Sequence, residues 1–227
     1  MLHKTEGICL HYIKYKDHSI IAKIFTKNFG LQSYIVNSVR TAKPKFNIAL
    51  FQPLSLLDMV VYHKEGREHL QRIAEIRLAY TFREIPFVFP KTALAMVISE
   101  ILSKVLYGEI GNEAIFDFLK SAVINLDQTN EFSDFLLKFM LSLLKHLGVW
   151  NGRIEEIFEH LYQAHYLKVP ILHFEQEISK LTQIWQNQSC PLDKSDRSYL
   201  IDCLLNYFRL HFEHFGEVKS LAVLRSL

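Results

Sequence analysis

The sequence predicts an α+β chain of two parts: a small N-terminal β-barrel over residues 1–80, then an all-α-helical domain over residues 81–227. Three observations carry this. Apolar residues recur with a period of two up to about residue 80 and drift toward 3.6 beyond it. Short polar breaks punctuate the first part at hairpin spacing, whereas prolines and isolated glycines punctuate the second. The charge also divides: residues 1–80 carry 12 Lys+Arg against 6 Asp+Glu, and residues 81–227 carry 14 against 18, so the overall +2 conceals a basic part and an acidic one.

Five segments rich in β-branched and aromatic residues are the expected strands: Ile8–Tyr15, Ser19–Thr26, Leu31–Val39, Leu54–Tyr62 and Leu70–Leu78. The breaks between them are Lys16-Asp17-His18, Lys27–Gly30 and His63–Arg67, with Gly30 and Gly66 placed to supply positive φ. One connection is long, Arg40–Asn47, between the third and fourth strands. Five strands in so short a span are too few for an immunoglobulin sandwich and suit an OB-type or SH3-like barrel, whose closure removes exposed edges.

Pro86 and Pro90 bracket an expected linker. Thr92–Tyr107 then places Leu94, Val97, Ile98, Ile101, Leu102 and Val105 on one helical stripe. A second helix, capped by Gly111 or Asn112, runs to about Asp127, and a third, capped by Thr129 or Asn130, ends at Gly148. Arg153–Tyr166, Phe174–Asn187 and Ser195–Phe215 are three further helices, with Pro170 and Pro191 as stops.

Several function classes lose support at this level. No apolar run reaches the ~18 residues of a membrane span, and the N-terminus has no apolar signal-peptide region, so a cytoplasmic protein is expected. Cys9, Cys190 and Cys203 are odd in number and far apart, which argues for neither a disulfide framework nor a zinc ribbon. There is no GxGxxG, phosphate loop or GxSxG elbow. Glu155-Glu156 and Asp193/Asp196 read as charges complementing helix starts. His211 and His214 have helical spacing but no third ligand nearby in sequence, so no metal, cofactor or catalytic residue is expected.

The basic part offers the candidate site. On the second strand Lys23, Phe25 and Lys27 share one face, a cation–aromatic–cation row of the kind that binds single-stranded nucleic acid; the same pattern also fits a core phenylalanine between solubilising lysines. In the long loop Arg40, Lys43 and Lys45 converge without an acid among them, Phe46 adds an aromatic ring, and Lys14 and Lys16 extend the patch. In the helical part Lys138, Lys145 and Arg153 flank an apolar stretch that suits an acidic partner peptide.

Glu6-Gly7-Ile8-Cys9-Leu10, Tyr15, the run Ser19–Thr26 followed by Phe29-Gly30, Val39-Arg40 and Phe51-Gln52-Pro53-Leu54 resemble the N-terminal OB-fold of the RecO family of bacterial DNA repair. The resemblance extends to Tyr207–His211 and Lys219-Ser220-Leu221, covering essentially the whole chain. It implies a nucleoid-associated, non-enzymatic mediator that binds and anneals single- and double-stranded DNA. It further implies that the protein works with RecR, engages the C-terminal tail of single-strand binding protein (SSB), and so helps load RecA. Many family members carry a four-cysteine zinc module in the helical domain. This chain has no cysteine between Cys9 and Cys190, so ordinary packing must hold residues 151–169. The competing readings are a structural adaptor without nucleic acid and an RNA-binding OB module, the latter to be exposed by an RNA-over-DNA preference.

Overall fold

The computed structural model describes residues 1–41, 44–64, 70–108 and 111–226. Five strands, β1 (Leu2–Tyr15), β2 (Ser19–Thr26), β3 (Gly30–Val36), β4 (Leu56–Tyr62) and β5 (Gln71–Leu78), close into a barrel in the order β1-β2-β3-β5-β4. Among the described residues the pairings are antiparallel except β3 with β5, which is parallel and joins Tyr34 to Gln71 and Ile35 to Arg72. This is the OB topology. The first strand is longer than its apolar pattern suggests because it serves two partners: Leu2–Ile8 pair with β4 and Gly7–Tyr15 with β2. Gly7 lies at the crossover, where an added Cβ would stand 2.7 Å from Ile24 Cγ2. Gly30 has φ +66° at the start of β3, as the β2–β3 turn requires; Gly66 lies outside the described residues.

The two-residue alternation sends Ile20, Ala22 and Ile24 of β2 and Tyr34 and Val36 of β3 into the barrel, all 2% exposed or less. A 3-10 turn at Ile48–Phe51, capped by Asn47 Oδ1 accepting from the Ala49 amide at 2.9 Å, adds Phe51 to this core.

Among the described residues seven α-helices follow: α1 (Phe89–Val105), α2 (Glu113–Gln128), α3 (Phe135–His146), α4 (Ile154–Gln163), α5 (Glu175–Trp185), α6 (Lys194–His211) and α7 (Leu221–Arg225). Pro90 sits in the first turn of α1 and so opens the helix rather than closing a linker, consistent with its missing N–H. The third helix starts later than expected, after Asp134, with Thr129 accepting from the Glu131 amide in a separate turn.

The chain divides into two compact units, Met1–Gln128 with Val218–Leu227, and Thr129–Glu217. Residue 80 marks the end of the strands but not the boundary of a compact unit, because α1 and α2 belong with the barrel. Ser99 Oγ of α1 donates to the Leu10 carbonyl, His11 Nδ1 lies 3.1 Å from Ser103 Oγ, and Lys120 of α2 pairs with Glu6. The connecting segment is tied down by Asp127, whose carboxylate accepts from the amides of Arg83, Glu84 and Ile85, each at 2.9 Å, and from the Tyr80 hydroxyl at 3.1 Å. Beside it the fully buried Lys91 donates to Glu84 Oε2 at 2.5 Å and to the Asp127 carbonyl at 3.0 Å. At the other end of α1, Glu100 accepts from the Lys219 and Ser220 amides at 3.0 and 2.9 Å and from the Ser220 hydroxyl at 2.6 Å, anchoring the segment that leads into α7.

In the second unit α6 packs against α3 and α4. Stacked Phe158–Phe174 and Phe208–Phe215 and the edge-on Trp150–Trp185 pair, 5.1 Å between centroids, fill its interior. Residues 151–169 thus rest on aromatic and aliphatic contacts; among the described residues no three His, Cys, Asp or Glu side chains are grouped to hold a metal ion. No described helix is long and apolar enough to cross a membrane.

Candidate nucleic-acid interface

The expected residues fall into three groups. The first corrects an expectation. Phe25 does point out of the barrel, as the alternation dictates, but it is 0% exposed: its ring stacks on Phe116 of α2 with centroids 6.2 Å apart. Lys27, next on that face, is held by Glu113 at 2.6 Å and Asp117 at 3.2 Å, both on α2. This face of β2 is a seat for a helix, and Phe25 offers no open ring to a base. Lys23 stands at its margin, with its ammonium 5.7 Å from the centre of the exposed Tyr107 ring.

The second group gathers at one end of the barrel. Lys14 and Lys16 are exposed at the β1–β2 turn, where Lys16 takes φ +50°. The Arg40 amide donates to the His18 carbonyl at 3.3 Å, and Ser19 Oγ donates to Asn37 Oδ1 at 3.1 Å, so the start of the long loop is fastened to that turn. Arg40 is thereby brought to the same rim as Lys14 and Lys16. Lys43 lies outside the described residues.

The third group lines a cleft of about 300 Å³ that exists because β3 and β5 share so short a pairing. Beyond Ile35 the two strands part, and Lys45 and Phe46 cross the opening. Phe46 is partly buried against the barrel core, with the Lys45 ammonium 4.9 Å from its centre, so it serves as a wall of the cleft. Arg72 and the 49% exposed Tyr62, cross-strand neighbours on β5 and β4, also line it, with Ile73 and Ala74 beside them and Ile35, Val36 and Asn37 from the β3 side.

Sequence reasoning missed Arg72 and Tyr62. The signal lies in the register: Ile13, Ile21, Ile35, Arg72 and Tyr62 are successive partners across β1, β2, β3, β5 and β4. Ile13 is 56% exposed and Ile21 and Ile35 are half-buried, so an apolar strip runs across the outer surface to the cleft. Among the described residues, Lys14, Lys16, Arg40, Lys45 and Arg72 have no carboxylate at ion-pair distance, whereas Arg77 is paired with Asp58 at 2.9 Å. Cations without acidic partners in a high dielectric keep their charge for a mobile polyanion. Under α1, His11 is held below its usual pKa by burial and by the Lys23 charge, with Glu100 opposing, and inside the barrel burial raises the Cys9 thiol.

Lys138, Lys145 and Arg153 all lie in the second unit. Lys138 and Lys145 are two turns apart on α3, and the exposed Lys145 ammonium sits 5.3 Å from the centre of the half-buried Trp185 ring. Arg153 precedes α4, and its carbonyl accepts from Trp150 Nε1 at 2.8 Å.

Comparison with known proteins agrees with this architecture. Residues 1–82 match the family model described as Recombination protein O N terminal, and residues 87–150 match Recombination protein O C terminal. The chain is 31% identical to the DNA repair protein RecO of Flavobacterium psychrophilum, covering 99% of this chain and 98% of the relative. It is 30% identical to that of Phocaeicola vulgatus, covering 100% and 99%. With the closed five-stranded barrel, the helices after it and similarity along the full length, the chain belongs to the RecO family.

Proposed function

We propose that this protein acts in DNA repair as a non-enzymatic mediator that binds single- and double-stranded DNA through its barrel and promotes annealing. With RecR, it assists the loading of RecA on strands coated by SSB. The observation that carries the DNA-binding part is the set of cations without acidic partners at one end of the barrel and in the adjoining cleft, Lys14, Lys16, Arg40, Lys45 and Arg72. Phosphate neutralisation by such groups releases counterions and supplies sequence-independent affinity. The acidic, hydrophobic-ended tail of SSB finds matching chemistry at Lys145 and Trp185, a cation beside a half-buried aromatic ring.

The test is a fluorescence titration of labelled single-stranded DNA over a series of salt concentrations, comparing the wild type with a variant carrying Arg40→Ala, Lys43→Ala and Lys45→Ala. Each lost phosphate contact flattens the plot of log affinity against log salt by about 0.7, roughly 2 units for all three. A normally folded triple variant with an unchanged slope would remove the loop from the interface. For the second partner, Lys145→Glu in the full chain is expected to weaken binding of an SSB-tail peptide while leaving DNA binding intact. Fragments cut at residue 80 are unsuitable for either test, since the cut would uncover Phe25 and Phe116.

A further inference from the structure

The cleft between β3 and β5 has a feature that phosphate binding does not need: an aromatic side chain left half-exposed on a strand, at the end of an apolar strip, with cations on the rim. Exposed surface cations alone would bind duplex and single strand by the same electrostatics. A ring in a recess is different, because its face is useful only to a base whose own face is free. In a duplex, bases are stacked on one another and their faces are hidden. In a single strand, one base can turn into the recess while its neighbouring phosphates stay at the rim.

We propose that this cleft is a stacking subsite for one unpaired base of a single strand, with Tyr62 as the platform and Arg72 and Lys45 holding the flanking phosphates. This rests on the DNA-binding reading above and adds to it a physical source of single-strand preference. Phe46 and Ile73 form the apolar surround that excludes water from the seated base, and the exposed Ile13 and half-buried Ile21 at the far end of the strip give the sugar and base edges of adjacent nucleotides an apolar path. The subsite exists because the parallel β3–β5 pairing ends after Ile35 and Arg72, which leaves the space between the strands to be lined by side chains.

The experiment measures affinity of the full chain for three labelled probes: an oligothymidine, the same length of fully abasic strand, and a blunt duplex. The variants are Tyr62→Thr, which keeps a strand-favouring residue without the ring, Tyr62→Phe, which keeps the ring, and Arg72→Ala. Loss of one base–aromatic stack is expected to weaken oligothymidine binding by Tyr62→Thr about 5- to 150-fold with no change in salt slope. Tyr62→Phe should bind like the wild type, and Tyr62→Thr should bind the abasic strand and the duplex as the wild type does. Arg72→Ala should lower the salt slope by about 0.7 on single strands. Equal losses on all three probes, or an undiminished affinity of Tyr62→Thr for oligothymidine, would overturn the subsite while leaving DNA binding by the barrel standing. A wild type that binds none of the probes would overturn the DNA-binding reading itself, and the subsite with it.

Discussion

Replacing Asp127 by alanine is expected to destabilise the first unit by about 3 kcal/mol, near the upper end of ordinary single substitutions. The carboxylate is 1% exposed and accepts from three backbone amides and one phenol, so counting charge-assisted bonds at about 1.5–3 kcal/mol each would overshoot. Arg83 is exposed, and Glu84 and Tyr80 are half-exposed, so their donors recover water when the carboxylate is gone. Ile85 is 4% exposed and its N–H would be stranded, which alone costs about 1–3 kcal/mol. Asp127→Asn should cost less, about 2 kcal/mol by the same reasoning, because one acceptor oxygen survives. The pH dependence follows from the same geometry. Burial alone would raise the carboxyl, but the amides of Arg83, Ile85 and Glu84 and the Tyr80 hydroxyl outweigh it and hold the group below its ordinary value. A carboxylate so depressed contributes stability above its unfolded pKa of about 3.9, and that stability is lost as pH falls through the folded value. The gap between wild type and variant should therefore be full at neutral pH and close below about pH 4. Urea unfolding followed by far-UV circular dichroism measures it. Both tryptophans, Trp150 and Trp185, lie in the second unit, so tryptophan fluorescence reports that unit and its transition should stay in place. An unchanged dichroism midpoint, or a gap constant from neutral to strongly acid pH, would refute the reasoning.

Two further outcomes follow from burial. Lys91→Met should be tolerated better than Glu84→Ala in urea unfolding, because the first leaves a 40% exposed carboxylate that water can reach and the second leaves a fully buried ammonium without its carboxylate. The opposite order would mean that the buried charge is balanced elsewhere. Phe25→Ala should cost about 3–5 kcal/mol, as large-to-small core changes do, and leave the salt slope of DNA binding unchanged. A reduced slope without loss of stability would return Phe25 to the interface.

Local pattern made the barrel readable. The second strand, Ser19–Thr26, was legible residue for residue because β-branched and aromatic residues dominate it and turns bound both ends. The first six residues of β1 were not, since exposed Leu2 and Lys4 mask the alternation until Ile8. Phe25 shows the limit of period-two reasoning, which tells two faces apart but not whether a helix ninety residues away covers one of them. Arg72 and Tyr62 escaped for a related reason: their proximity to Lys45 depends on which strands become neighbours and where a parallel pairing stops. The short α7 has too few turns for a periodicity to show, and its position depends on Glu100, far back in the chain.

The return of residues 218–227 to the first unit bears on the order in which the chain becomes whole. During synthesis the barrel, α1 and α2 emerge first, and domains fold as units from the N-terminal side. Yet the Glu100 carboxylate must wait for Lys219 and Ser220, which are made only after all of residues 129–217. In the interval Glu100 lacks the Ser220 hydroxyl and the two amides that, against burial, hold its pKa below the ordinary value in the finished fold. The second unit is therefore built as a loop between two parts of the first. A single proteolytic nick within residues 129–217 would leave the two fragments held by noncovalent contacts alone, those of α1 with the segment from Val218 onward and those among the helices of the second unit.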